Sequence, residues 1–285
     1  MYLNTLGKNE LYESVAQITG VNIKSVKNFI KGHAEKIVEC HYDEYSIEQM
    51  NLEEFLKGNR TEIIDSVIIH HISPRESENS IWQERLMTLP HALTRETVIS
   101  TYLKKIGFTF SFDGNQIYMS KNGKYVDVKN KLGTNLKMRL GGSGTYNDFN
   151  INGYLFVDEF IEDAIRGWLG SPEFLKSLAN YYERNDIADD FAENCYNYLV
   201  SFKVATDKID INGWSEKISV MRKTEILLRY AVNALSYYEI NRTPFLQMDN
   251  PIIYLKRDYD VPKENIKKIW GLKRKPGKWT PVEIV

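Results

Sequence analysis

Ser66-Val-Ile-Ile-His-His-Ile-Ser73 is the stretch on which the reading of this chain turns. It is short, rich in β-branched residues and followed at once by Pro74. Such a run predicts a buried strand that Pro74 stops. Alternation along a strand sends His70 and His71 to opposite faces, so one ring points inward and the other outward. His71 and Ser73 then share a side. At the strand end they bring an imidazole and a hydroxyl together at the edge of a cleft.

Upstream of this strand the pattern is helical. Leu11, Val15 and Ile18 recur at helical spacing and form one apolar stripe. Gly20 stands where a left-handed residue closes a helix, and Asn22 can cap the next one. Val26, Phe29, Ile30 and Ile37 make a second stripe. A third, short helix is predicted around residues 46–57, broken by Gly58-Asn59. Residues 1–60 therefore read as a helical module and residues 61–285 as a larger α+β domain.

Downstream, residues 81–93 and 95–106 are predicted helices, the second capped by Thr94. Residues 108–112, 116–120 and 124–128 form a three-stranded meander, with Asp113-Gly-Asn and Asn122-Gly as its turns. Residues 137–140 read as a further strand and Leu140-Gly-Gly-Ser-Gly144 as a flexible loop. Residues 158–198 read as helical with a break at Gly170-Ser-Pro172. Residues 199–205 are β-like, 223–238 a long helix and 251–256 a strand. Val261-Pro262 opens a final predicted helix.

Composition narrows the function classes. The formal net charge is −1, so no global field draws the chain to nucleic acid or a membrane. The two cysteines, Cys40 and Cys195, belong to no CxxC or His/Cys cluster and read as free thiols of a reducing compartment. The N-terminal text lacks a signal-peptide pattern, and no run of about 18 apolar residues spans a membrane. These features predict a cytoplasmic protein. No metal motif, P-loop or dinucleotide fingerprint is present, and Leu140–Gly144 lacks the Lys-Ser/Thr that a phosphate cradle needs.

Two resemblances add to this reading. Asn9-Glu-Leu-Tyr-Glu-Ser-Val-Ala-Gln-Ile-Thr-Gly-Val21, with Val26 behind it, resembles the opening helical hairpin of the HU/IHF DNA-architectural family. That resemblance, over residues 9–40, implies a packing or dimerising element. Lys24, Lys27 and Lys31 would lie on its exposed side. The acidic stretch His41-Tyr-Asp-Glu-Tyr45 follows where that family supplies DNA-gripping arms.

Ile69-His-His-Ile-Ser73 looks like the first core strand of the ADP-ribosyltransferase fold, in its diphtheria-toxin-like branch. Asp249-Asn-Pro-Ile-Ile-Tyr-Leu-Lys256 and the segment from Val261 to Ile269 resemble that fold's late elements. The resemblance covers residues 66–269 in pieces and implies a split antiparallel sheet. It also implies NAD as cofactor, with His71 on a ribose hydroxyl and Ser73 beside it. The family's catalytic glutamate opens a late strand, where this chain offers Asp249. Glu239 and Glu225 are alternatives on the preceding helix. A carboxylate there would steady the positive charge that develops on the ribose as NAD is cleaved. Arg139 is a candidate for the pyrophosphate, positioned by Asp148, and Tyr154 for stacking on the nicotinamide.

Partners are less specified. Tyr181, Tyr182, Tyr196, Tyr198, Tyr237 and Tyr238 offer a tyrosine-rich surface for a protein partner. Residues 263–278 are basic, with Trp270 and Trp279 interleaved, and could hold nucleic acid. The chain thus reads as an ADP-ribosyltransferase-like protein acting on a macromolecule. The alternatives are a non-catalytic, phage-type oligomeric inhibitor of a host protein, or a nucleic-acid-binding regulator.

Overall fold

The strand at the centre, β2 (Ser66–Arg75), pairs along its whole length with β8 (Tyr196–Ala205) in antiparallel register, His70 opposite Ser201. The structure is a computed structural model that describes residues 1–39, 61–131, 133–143, 147–212, 218–244 and 246–284. On the other edge of β2, β1 (Tyr2–Leu3) pairs in parallel at Ser66 and Val67, and β6 (Asn152–Tyr154) pairs at His70. Beyond His70 that edge has no strand partner among the described residues.

The large sheet runs β7 (Phe160–Ile161), β12 (Lys278–Glu283), β11 (Ile266–Lys275), β8, β2, β6, β10 (Ile252–Leu255), β9 (Ile209–Ile211). Every pairing except β1–β2 is antiparallel. A second sheet is the meander β3 (Phe108–Phe112), β4 (Ile117–Lys121), β5 (Lys124–Val126). Its Asn122-Gly123 turn has φ of 50° and 74°, the left-handed pair that a tight hairpin needs. The fold is therefore mixed α/β with antiparallel sheets, as the α+β reading required.

The N-terminal helices α1 (Lys8–Thr19) and α2 (Ile23–Glu39) form as their stripes predict, with Gly20 left-handed at φ 64°. Asn22 accepts the Lys24 N–H at 2.9 Å. Their apolar stripes are spent inside the molecule. Leu11, Val15, Ile18, Val26, Ile30 and Ile37 are buried in one cluster with Val67, Ile69, Val200 and the long helix α11 (Val220–Glu239). The predicted helix at 46–57, Cys40 and the acidic stretch 41–45 lie outside the described residues.

A second apolar cluster gathers around the meander. It is built from α4 (Leu89–Thr94), α5 (Val98–Lys105), the meander, α7 (Thr134–Arg139), α9 (Glu173–Tyr181) and α10 (Asp186–Glu193). The helices α3 (Glu78–Glu84), α6 (Val128–Lys131) and α8 (Glu162–Ile165) complete the set.

Several local expectations are corrected. Pro74 does not stop β2, because a strand tolerates proline where one edge has no ladder to feed. The predicted strand at 137–140 is the end of α7, and Gly141 (φ 77°) and Gly142 close it by donating to Met138 and Lys137 carbonyls. The cap of α5 is Thr97, not Thr94. The span 158–198 includes β7 and the start of β8 besides its helices.

The final helix is also corrected. Lys263–Asn265 is one 3₁₀ turn, and β11 and β12 then form a hairpin. Ile266, Ile269 and Leu272 imitate a helical stripe. A register shift between Ile266 and Lys268 moves the strand alternation by one and produces that spacing.

Candidate functional site

Along the edge of β2 that has no strand partner beyond His70, a cavity of about 160 Å³ opens. That is about the size at which an apolar site takes a six-membered ring. His71, Ser73 and Arg75 line it from one face of β2. Asn150 and Asn152 approach from the β6 side, Glu84 and Arg85 from the end of α3, Arg139 from α7 and Glu173 from α9. Trp168, Phe174 and Phe191 supply aromatic wall.

His71 is half-buried, and its Nδ1 donates to the Asn152 carbonyl at 2.5 Å. A carbonyl only accepts, so Nδ1 carries the proton and Nε2 is left as an acceptor. Burial pushes the imidazole down to about 4; the Asn152 carbonyl opposes this and Arg75 adds to it. The ring is therefore neutral near neutral pH. At this point β2 itself approaches β6 closely, because Gly153 has no side chain. A Cβ there would sit 2.6 Å from the His70 carbonyl oxygen.

Ser73 is 1% exposed, and its Oγ has no hydrogen-bond partner among the described residues. Arg75 Nε is in the same position. Leaving a buried donor unmade costs about 1–3 kcal/mol. Arg75 Nη1 donates to the Pro74 carbonyl at 3.0 Å, and Glu84 Oε2 lies 4.0 Å from Nε. Glu84 uses its other oxygen to accept the Val98 N–H at 2.5 Å, at the start of α5. Arg85 adopts φ 60°, ψ −169°, a backbone region that is costly for any residue but glycine. Its guanidinium reaches Asp260 at 3.7 Å. Asp260 also accepts from Thr88, His91 and Arg95. Burial pushes the Asp260 carboxyl up, but the Thr88 and His91 bonds outweigh it and hold it below its ordinary value.

Of the residues singled out in the sequence, His71, Ser73 and Arg139 line the cavity. Arg139 is engaged, however, at 2.6 Å from Glu173 and 3.1 Å from Asp148. The Asp148 pairing is the one expected. Burial raises the Asp148 carboxyl and Arg139 partly restores it, with Glu173 raising it further.

The other candidates stand elsewhere. Asp249 is 1% exposed and accepts the Asn233 amide at 2.7 Å; it does not line the cavity. Glu239 ends α11 and pairs with Lys8 at 3.4 Å, and Glu225 pairs with Arg222 at 2.8 Å near the start of that helix. Tyr154 is buried on β6 against Phe160 and Trp168, with ring centres 5.5 and 5.7 Å away. Trp168 lines the cavity in its place.

Sequence reasoning missed Arg75, Glu84 and Glu173. The signal for Arg75 was the alternation 71, 73, 75, hidden by reading Pro74 as a stop. Glu84 and Glu173 lie in helices, and nothing local marks them.

The proposed partner surfaces also take concrete form. The basic stretch at 263–278 is partly paired: Lys268 with Glu283, Arg274 with Glu162, and Lys278 and Lys275 with Glu159. Tyr198 and Tyr237 are buried, while Tyr196 is exposed. Cys195 is a half-buried free thiol that burial pushes up to about 11. Among the described residues no helix is long and apolar enough to cross a membrane, and no cluster of His, Cys, Asp or Glu is placed to hold a metal. No known protein family, curated protein or solved structure matches the chain.

Proposed function

We propose that this chain is an ADP-ribosyltransferase-like protein that binds NAD in the cavity at the end of β2, with the nicotinamide end innermost. The observation that carries the reading is that His71 and Ser73 open onto one ring-sized cavity together. The neutral His71 offers Nε2 as an acceptor, which suits a ribose hydroxyl. Trp168 and Phe174 suit the flat face of a nicotinamide.

In the transferase reading, the bond between nicotinamide and ribose breaks and positive charge develops on the sugar. A nucleophile on the acceptor then takes the ribose carbon. The carboxylates within the cavity wall are Glu84 and Glu173, so these replace Asp249, Glu239 and Glu225 as candidates to steady that charge.

One observation favours a second reading, binding without turnover. Glu84 is committed to the Val98 N–H beside Arg75, and Glu173 to Arg139. Calorimetric titration with NAD, followed by a nicotinamide-release assay, separates the two. Binding that weakens about tenfold in His71→Ala supports the NAD site. Release lost in Glu84→Gln or Glu173→Gln supports transfer. Binding without release supports the second reading, and no binding at all removes both.

A further inference from the structure

Residues 71, 73 and 75 share one face of β2, and all three line the cavity. Two of them carry buried atoms with no hydrogen-bond partner among the described residues, Ser73 Oγ and Arg75 Nε. Ser73 is 1% exposed, so its hydroxyl has no recourse to bulk water. The nearest carboxylate oxygen to Arg75 Nε, on Glu84, is at 4.0 Å, beyond hydrogen-bond range. Arg139 differs in kind, since two carboxylates already hold its guanidinium at 2.6 and 3.1 Å.

The wall carries Arg75, Arg85 and Arg139 against Glu84 and Glu173. Behind the wall Asp148 pairs with Arg139 at 3.1 Å and Asp260 with Arg85 at 3.7 Å, while Glu84 gives one oxygen to the Val98 N–H instead of Arg75. A guanidinium N–H and a hydroxyl without partners, on one face of a strand, are the donors that an oxyanion selects.

We propose that Ser73 and Arg75 form a receptor for an oxyanion carried by the ligand, a phosphate or a carboxylate, and that Arg139 is a wall-bracing residue rather than the anion's partner. The receptor deepens the NAD reading, in which its occupant is the pyrophosphate. It stands on its own atoms if the ligand is another anion.

The test is calorimetric titration of the full chain, at constant ionic strength, with two probes: inorganic pyrophosphate for a phosphate source and nicotinate for a ring carboxylate. Wild type is expected to bind at least one, and the stronger probe identifies the source. Arg75→Met is expected to weaken that binding about tenfold and Arg139→Met less than about twofold, as for loss of one charge-assisted pair against none. Ser73→Ala removes only a hydroxyl without a partner, so it should fold as wild type and still weaken binding several-fold. It keeps the proposal testable if Arg75→Met fails to fold.

Absence of binding by both probes at about 10 mM, enough to fill a millimolar site, would overturn the receptor. So would binding lost in Arg139→Met but kept in Ser73→Ala and Arg75→Met. Anion binding without NAD binding leaves the receptor standing and removes the NAD reading. NAD binding indifferent to Ser73→Ala and Arg75→Met does the reverse.

Discussion

His70 Nδ1 lies 2.8 Å from Ser201 Oγ, directly across the β2–β8 ladder and fully buried. The contact is one link of a relay. Trp270 Nε1–H donates to Ser201 Oγ at 3.1 Å, and Ser201 donates to His70 Nδ1. His70 Nε2–H donates to Thr5 Oγ1 at 2.9 Å, and Thr5 donates to the Ile68 carbonyl at 2.9 Å. Each hydrogen has one acceptor, so the relay fixes the His70 tautomer. It joins β11, β8, β2 and the segment after β1.

Ser201→Ala would leave the half-buried Trp270 N–H and the fully buried His70 Nδ1 without that partner. The expected cost is about 2–6 kcal/mol, from about 1–3 kcal/mol for each of two stranded polar groups. Urea denaturation measures it. A loss below about 0.5 kcal/mol would mean that the relay is not a unit of the fold.

The two histidines set the acid limit of stability. Burial pushes His70 down to about 3 and His71 down to about 4. In the unfolded chain both titrate near about 6.5. Between those values the unfolded state holds more protons, so stability falls as pH drops from about 6.5 towards 4. Asp158 opposes them. Burial pushes its carboxyl up to about 8, with the Tyr238 hydroxyl drawing it back and Glu159 raising it. The folded state therefore keeps that proton up to about pH 8, while the unfolded chain releases it near about 3.9, so this group lowers stability as pH rises. Two histidine protons outweigh one carboxyl proton below about pH 6.5, and Asp158 alone acts above it. These groups place the stability maximum near pH 6.5. Asp158→Asn should flatten the curve between about pH 6.5 and 8, read as denaturation midpoints at three pH values. A slope unchanged by the substitution would contradict the assignment.

Gly153→Ala tests the close approach of β6 to β2. The added Cβ would meet the His70 carbonyl oxygen at 2.6 Å and Ile69 Cγ2 at 2.8 Å, and backbone cannot yield as a flexible side chain can. The expected loss is about 3 kcal/mol, at the upper end for overpacking. Because β6 also presents the carbonyl that orients His71, ligand binding should weaken with stability. Thermal unfolding with and without NAD measures both.

How much of this could be read from residues alone follows from how local each cue is. The β-branched run at 66–73, the Asn122-Gly123 turn and the stripe of α1 are cues within one element, and the structure carries all three. The C-terminal hairpin was hidden because a register shift counterfeits helical spacing. His71 and Ser73 were legible because strand alternation alone places them together. Glu84 and Glu173 were not, because their place on the cavity depends on how α3 and α9 pack against β2 from distant parts of the chain. Asp249 and Tyr154 drew attention by position relative to a strand, but Asn233 encloses one and Phe160 and Trp168 flank the other.

The relay through His70 also bears on synthesis. Thr5 precedes His70 by 65 residues, Ser201 follows it by 131, and Trp270 follows Ser201 by a further 69. The four side chains cannot meet until residue 270 has cleared the ribosome. Until then β2 and β8 are nascent strands with an open edge, the state in which a chain is most exposed to mispairing and to chaperones. Commitment to the native sheet is thus a late event in the life of each molecule, and a ribosome paused before codon 270 would hold a chain unable to complete it.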